Sequence, residues 1–211
     1  MLKNIFQKLL SGVAAGLLIT VGGTVFLAVD NRYVGAVLFS VALLCICIKG
    51  YSLYTGRIGF IPEKHGKEEV LGLLLGLAGN VLATLAGGLL IALAMPALKE
   101  TAAALCAAKL ENQTVLSTFI RACFCGILMY LAVSIYKNNQ KLIGVLFCIP
   151  VFILSGFEHS VADMFYFSAA ASFTWRSLLF IAVVVLGNSA GAVILPLITD
   201  AFTWKKKEAQ S

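Results

Sequence analysis

Charge is what this sequence has least of. Only 12% of its 211 residues are Asp, Glu, Lys or Arg, while 60% are hydrophobic. A soluble domain carries about twice that charged fraction. A water-soluble globule is therefore excluded, and helices that are apolar all round point to a bilayer as solvent. Soluble intervals are also missing. Apolar runs follow one another almost without pause, which predicts one membrane domain over 1–211, with a short N-terminus (1–9) and a C-terminal tail (203–211). Metal-ligand spacings are absent too. Cys45, Cys47, Cys123, Cys125 and Cys148 sit inside apolar runs, where a thiol packs as a small hydrophobe, and neither a metal site nor a cofactor is expected. The first apolar run lacks a small-residue cleavage site and five more runs follow it, so it reads as a membrane helix and not as a cleaved signal.

What is present is a series of six apolar segments, near 10–29, 34–56, 70–97, 114–136, 142–171 and 177–202. A helix of about 20 residues crosses the hydrocarbon core. The net charge of +6 is distributed unevenly along the chain. Lys3, Lys8, Arg57, Lys64, Lys67, Lys137, Lys141, Lys205, Lys206 and Lys207 fall on one side of a six-pass chain. Arg32, Lys99, Lys109, Arg121 and Arg176 fall on the other. That bias puts both termini in the cytoplasm. It also accounts for the basic excess without nucleic acid as a partner.

Two segments are interrupted. The second contains Lys49 and Gly50 and runs into Tyr54-Thr55-Gly56. The fifth contains Pro150, Gly156, Glu158, His159 and Asp163. Such interruptions mark discontinuous helices that line a cavity. They hold the same place in two halves of three spans each. Leu77-Ala78-Gly79-Asn80 in segment three is echoed by Val185-Leu186-Gly187-Asn188 in segment six. Three spans per half forces opposite insertion. The expected fold is an all-α membrane protein of six transmembrane helices in two inverted three-helix repeats, with helices two and five broken. Gly50, Gly156, Asn80, Asn188 and Glu158 then support the breaks. Ionisable groups within a membrane segment are functional by default, although a buried His159 satisfied by a nearby hydroxyl is the plainer alternative. His65, in a basic loop, reads as solvated.

The stretch Gly156-Phe157-Glu158-His159-Ser160-Val161-Ala162 resembles the fifth-helix signature of the formate/nitrite transporter family. Leu186-Gly187-Asn188-Ser189-Ala190-Gly191 is similar to its sixth-helix run, and Gly50-Tyr51-Ser52-Leu53-Tyr54-Thr55-Gly56 to its Gly-x-x-Leu-Phe-Thr element. The resemblance implies an aquaporin-like fold and a homopentamer with one pore per protomer, embedded in lipid in a prokaryotic cytoplasmic membrane. It implies passage of formate, nitrite, acetate, lactate or hydrosulfide. A membrane enzyme built on Glu158 and His159 would lack a second catalytic cluster, so no enzymatic activity is expected. By position, His159 matches the central pore histidine and Thr55 its partner. Phe39, Leu43 and Phe152 match a cytoplasmic constriction; Leu53, Tyr54 and Met129 match an outer one. Without the resemblance these apolar residues read as core.

Three departures from the family pattern stand out. The position on helix four that usually carries Asn or Lys is Gly126. A lysine, Lys49, precedes the break in helix two. The usual asparagine after the histidine is Asp163, four residues on and on the same face. Lys49 either supplies the displaced positive charge or neutralises Asp163. A weak-acid anion is expected to pass with a proton, as the neutral acid, with His159 donating that proton or only hydrogen-bonding the acid. A channel for a small neutral solute such as urea or ammonia is the alternative.

Overall fold

Apolar runs become helices here because a peptide group without water must find its partner within its own segment. The computed structural model describes residues 2–63 and 66–208, with side chains from 3 to 199. Lys64 and His65, and the side chains of Lys205, Lys206 and Lys207, lie outside the described residues. The order is α1 (Leu2–Ala28), α2 (Arg32–Lys49), α3 (Tyr54–Arg57), a 3-10 turn (Ile58–Phe60), α4 (Lys67–Ala94), α5 (Pro96–Asn112), α6 (Val115–Asn139), α7 (Ile143–Leu154), α8 (Ser160–Ala169) and α9 (Trp175–Glu208). Among the described residues there is no strand. Five helices (α1, α2, α4, α6 and α9) are long and apolar enough to cross a membrane, and α7 is a shorter apolar helix.

The boundaries differ from expectation in three places. The second apolar segment ends as helix at Lys49. Residues 96–112, expected as part of a connection, form α5: Pro96 occupies its first turn, where a missing N–H costs nothing, and an alanine-rich stretch sustains it. The last helix runs on to Glu208, past the expected end at 202.

Around α5 the same order occurs twice: long, medium, short, long. α1 packs on α2 and α4, as α6 packs on α7 and α9. The short helices cross over. α8 lies against α1 and α4, and α3 against α6 and α9. Large apolar side chains face outward along the long and medium helices, among them Leu17, Val41, Leu90, Phe147 and Leu186. That pattern suits a lipid surround.

Small residues set how closely α1 approaches α4 and α6 approaches α9. A Cβ at Gly12 would meet the Gly76 backbone, and one at Gly126 would meet the Asn188 carbonyl oxygen and the Ala192 nitrogen at 2.8 Å. Close backbone approach of this kind is how membrane helices gain packing when burial in lipid gives no hydrophobic drive. It also corrects the expected role of position 126. Gly126 faces the α9 backbone, so a charged side chain there has no space and no route to a pore. Gly126→Lys should therefore abolish assembly, seen as aggregation in detergent size-exclusion chromatography. A monodisperse, active Gly126→Lys protein would contradict this packing.

Candidate functional site

Two glycines end the helices that lead into the centre. Gly50 and Gly156 adopt the left-handed conformation (φ 69° and 70°), which side-chain-bearing residues rarely tolerate. After α2, Gly50 N–H donates to Cys47 O (3.2 Å) and Tyr51 N–H to Ile46 O (3.1 Å). After α7, Gly156 N–H donates to Ile153 O (3.2 Å) and Phe157 N–H to Phe152 O (2.9 Å). These are the same helix-terminating bonds with each residue number raised by 106 (50 to 156, 51 to 157).

The backbone beyond each glycine is caught by a fully buried asparagine. Asn80 Oδ1 accepts from Tyr54 N (2.9 Å), while its Nδ2 donates to Gly12 O (2.8 Å) and Ser52 O (2.9 Å). Asn188 Oδ1 accepts from Ser160 N (2.8 Å), while its Nδ2 donates to Ala122 O (2.9 Å) and Glu158 O (2.8 Å). Each amide thus joins three segments: the start of a short helix, the chain just before it, and a neighbouring long helix. Its donors and acceptor are all used, as a buried amide requires.

His159 is the N-cap of α8, and its Nδ1 accepts from Ala162 N at 3.1 Å. A nitrogen that accepts carries no proton, so the neutral ring holds its proton on Nε2. That proton is donated to Thr55 Oγ1 at 2.8 Å. Phe152 stacks on the imidazole (centroids 5.5 Å apart, 20° between planes), and Phe39 meets Phe152 edge-on at 6.4 Å.

Lys109, on α5, reaches into this region. It pairs with Glu158 Oε2, and with Asp163 Oδ1 at 3.1 Å. Gln113 Nε2 donates to Glu158 Oε1 at 2.6 Å. Two further cations bond backbone carbonyls at and just beyond the end of α7. Arg32 donates to Ile153 O (3.0 Å) and Arg121 to Gly156 O (3.1 Å). One cavity of about 470 Å³ takes in Arg32, Lys109, Arg121, Phe152, Glu158, His159 and Asp163. A second, of about 420 Å³, is lined by Leu43, Cys47, Gly50, Leu53, Arg57 and Lys137, among others.

The sequence matches the family described as Formate/nitrite transporter over residues 2–202. The chain belongs to the formate/nitrite transporter family. An uncharacterized transporter of Bacillus subtilis (strain 168), YrhG, is 28% identical over 200 residues, covering 84% of this chain and 74% of the relative. Two solved structures share the fold. One, a pentameric formate channel with formate bound, has a TM-score of 0.76 at 23% identity and covers 97% of this chain and 98% of its own. The other, a formate/nitrite transporter family ion channel, has a TM-score of 0.76 at 21% identity, with 96% and 90% covered. Relatives of this kind are transporters and channels, not enzymes.

Within that family frame, the expected residues sort as follows. His159, Thr55, Phe152 and Phe39 come together at the centre. Asp163 and Glu158 sit beside them, both buried. Leu43 lines the same cavity as Leu53, while Phe152 lines the opposite cavity, toward Arg32. Of the residues expected to share a cytoplasmic constriction, Leu43 and Phe152 thus border different cavities, and Phe39 lines neither. Tyr54 is buried and its hydroxyl bonds Ser189 Oγ at 2.7 Å. Met129 is buried on α6 and lines neither cavity.

Lys49 is the other correction. It is exposed in the last turn of α2, where a cation suits the helix dipole, and it lines neither cavity. Asp163 is paired with Lys109 instead, so the Lys49–Asp163 pair does not form. Lys109 was the functional residue that sequence reasoning missed. Lys109→Met should take the ammonium from two buried carboxyl groups, Glu158 and Asp163, and lower stability by about 3–5 kcal/mol. Lys49→Met should shift it by no more than about 0.5 kcal/mol. Melting of the two variants in detergent checks the contrast; equal losses would contradict the assignment.

Proposed function

We propose that this protein passes small monovalent weak-acid anions of the formate, nitrite or acetate type across a prokaryotic cytoplasmic membrane, each with a proton. The observation that carries this reading is the centre itself: a neutral histidine, held at both nitrogens, beneath an aromatic slit and beside a cavity rimmed by Arg32, Lys109 and Arg121. The two cavities are taken as the vestibules of one pore. Between them lie Phe39 and Phe152 on one side and Leu43 and Leu53 on the other, around the His159–Thr55 bond. Charge distribution orients the pore, with the Arg57 and Lys137 cavity cytoplasmic and both termini inside. The paired glycines and asparagines support six membrane passes as two inverted repeats, α2–α3 and α7–α8 each serving as one broken span.

Energetics choose the form that crosses. Taking a bare carboxylate into a low-dielectric slit costs on the order of tens of kcal/mol in the idealised limit. Protonating an acid with a pKa near 4 costs only about 4 kcal/mol at pH 7, at about 1.36 kcal/mol per pH unit. The neutral route wins. The cationic rim draws the anion in, and dehydration near the slit favours its protonation. His159 then serves as a hydrogen-bonding post. Its Nδ1 is engaged by the Ala162 N–H, so accepting a second proton would break the cap that starts α8. Family membership and the cationic rim both weigh against a neutral solute such as urea. Likeness to a pentameric relative, together with the outward apolar faces, supports a homopentamer with a pore in each protomer.

Reconstituted protein should take up labelled formate, with uptake rising as external pH falls from about 8 to about 5, since the neutral-acid fraction rises tenfold per unit. Urea should not enter faster than in empty vesicles. Urea uptake without formate uptake, or formate uptake indifferent to pH, would overturn the proposal.

A further inference from the structure

Three charged side chains meet beside His159, and their count is odd. Glu158 and Asp163 share one ammonium, that of Lys109. Glu158 is satisfied at both oxygens, by Lys109 and by Gln113. Asp163 is not. Its Oδ1 pairs with Lys109, but Oδ2 has no partner, although the side chain is only 2% exposed. Among the described residues the other buried side-chain atoms without partners are two hydroxyls, Ser40 Oγ and Ser160 Oγ. Oδ2 is the one that would bear charge.

Most of the usual remedies for such an oxygen are committed elsewhere. Asp163 lies in the first turn of α8, where free N–H groups would favour an anion. Ser160 N–H, however, is bonded to Asn188, Ala162 N–H to His159 Nδ1, and Asp163 N–H to His159 O. The groups facing Asp163 are Lys109 and Cys106 from α5, Glu158 from the break, Cys125 from α6 and Tyr166 on α8. α1, α3, α4 and α9 add no other electrostatic partner among the described residues. Arg32 and Arg121 are bonded to backbone carbonyls, so two buried carboxylates share the one ammonium, and an ionised Asp163 would keep an unpaired buried oxygen that is costly. A proton on Oδ2 removes that charge and turns an orphan acceptor into a donor, on a residue that lines the cavity.

Resting on the transport function proposed above, we propose that Asp163 is the proton donor to the passing anion. The anion, drawn past Arg32 and Arg121, accepts the Asp163 Oδ2–H. That O–H bond breaks as the H–anion bond forms, and the neutral acid moves on past His159. Asp163 is left as a carboxylate held by Lys109, and a proton from water in the outer cavity restores it. Proton delivery and the hydrogen-bonding post are thus separate residues four positions apart on one face.

The test is Asp163→Asn, which keeps the shape and the neutrality of the protonated side chain and removes the transferable proton. The variant should assemble and melt at least as high as the parent. Its formate uptake should stay within about twofold of the parent at pH 5, where bulk water supplies the neutral acid, and fall by about tenfold or more at pH 7. Asp163→Glu should restore part of the uptake at pH 7. Parallel pH profiles for parent and Asp163→Asn would overturn the proposal and leave the transport function standing. Failure of the parent to take up formate at any pH would overturn the transport function itself. As a check independent of the variant's folding, the infrared spectrum of the parent at pH 7 should contain the carbonyl stretch of an un-ionised buried carboxyl. Its absence would overturn the assignment.

Discussion

A peptide group freed from a helix inside a membrane has no water to bond, and each one left unpaired costs several kcal/mol. Asn80 and Asn188 are what allow this chain to free such groups at two places. Each amide supplies the one acceptor and two donors that its break needs. The glycines then only have to turn the chain. Because Asn188 fixes Ser160, α8 begins where it does, and His159 is set as its cap with the ring aimed at Thr55. Thr55 in turn is placed by α3, whose first residue, Tyr54, is held by Asn80. The central hydrogen bond thus joins two short helices, each positioned by its own asparagine.

Electrostatics follow from the same breaks. Ending α7 at Leu154 exposes carbonyls that draw in Arg32 and Arg121. Turning at Gly156 puts Glu158 within reach of Lys109. The cations near the centre are therefore anchored to backbone or to carboxylates and are not loose tethers. Charges held in this way need little reorganisation, as the proposed passage of an anion requires. The opposite cavity keeps Arg57 and Lys137, and Lys137 lies 3.5 Å from the centre of the Phe60 ring.

Much of this was written locally in the sequence. Gly50 and Gly156, and the repeated Gly-Asn at 79–80 and 187–188, carry their meaning in a few adjacent residues. The run from Gly156 to Ala162 carries family membership. What was hidden depended on distance and direction. Lys109 pairs with Glu158 and Asp163 across 49 and 54 positions. It also sits in a stretch whose charges (Lys99, Glu100, Glu111) read as a water-exposed connection. Lys49 looked like a pathway charge because it precedes the break in helix two, yet its side chain is exposed in the last turn of α2 and lines neither cavity. Gly126 was matched by position along helix four, but the face it presents is set by α9, which periodicity within α6 does not reveal.

The central claim is that each anion crosses with one proton. Vesicles containing the reconstituted protein and a trapped pH dye, given an inward formate gradient with the membrane potential clamped at zero, test it directly. Entry as the neutral acid predicts lumenal acidification equal to the formate taken up, with no accompanying current. A formate-dependent current without acidification would contradict it.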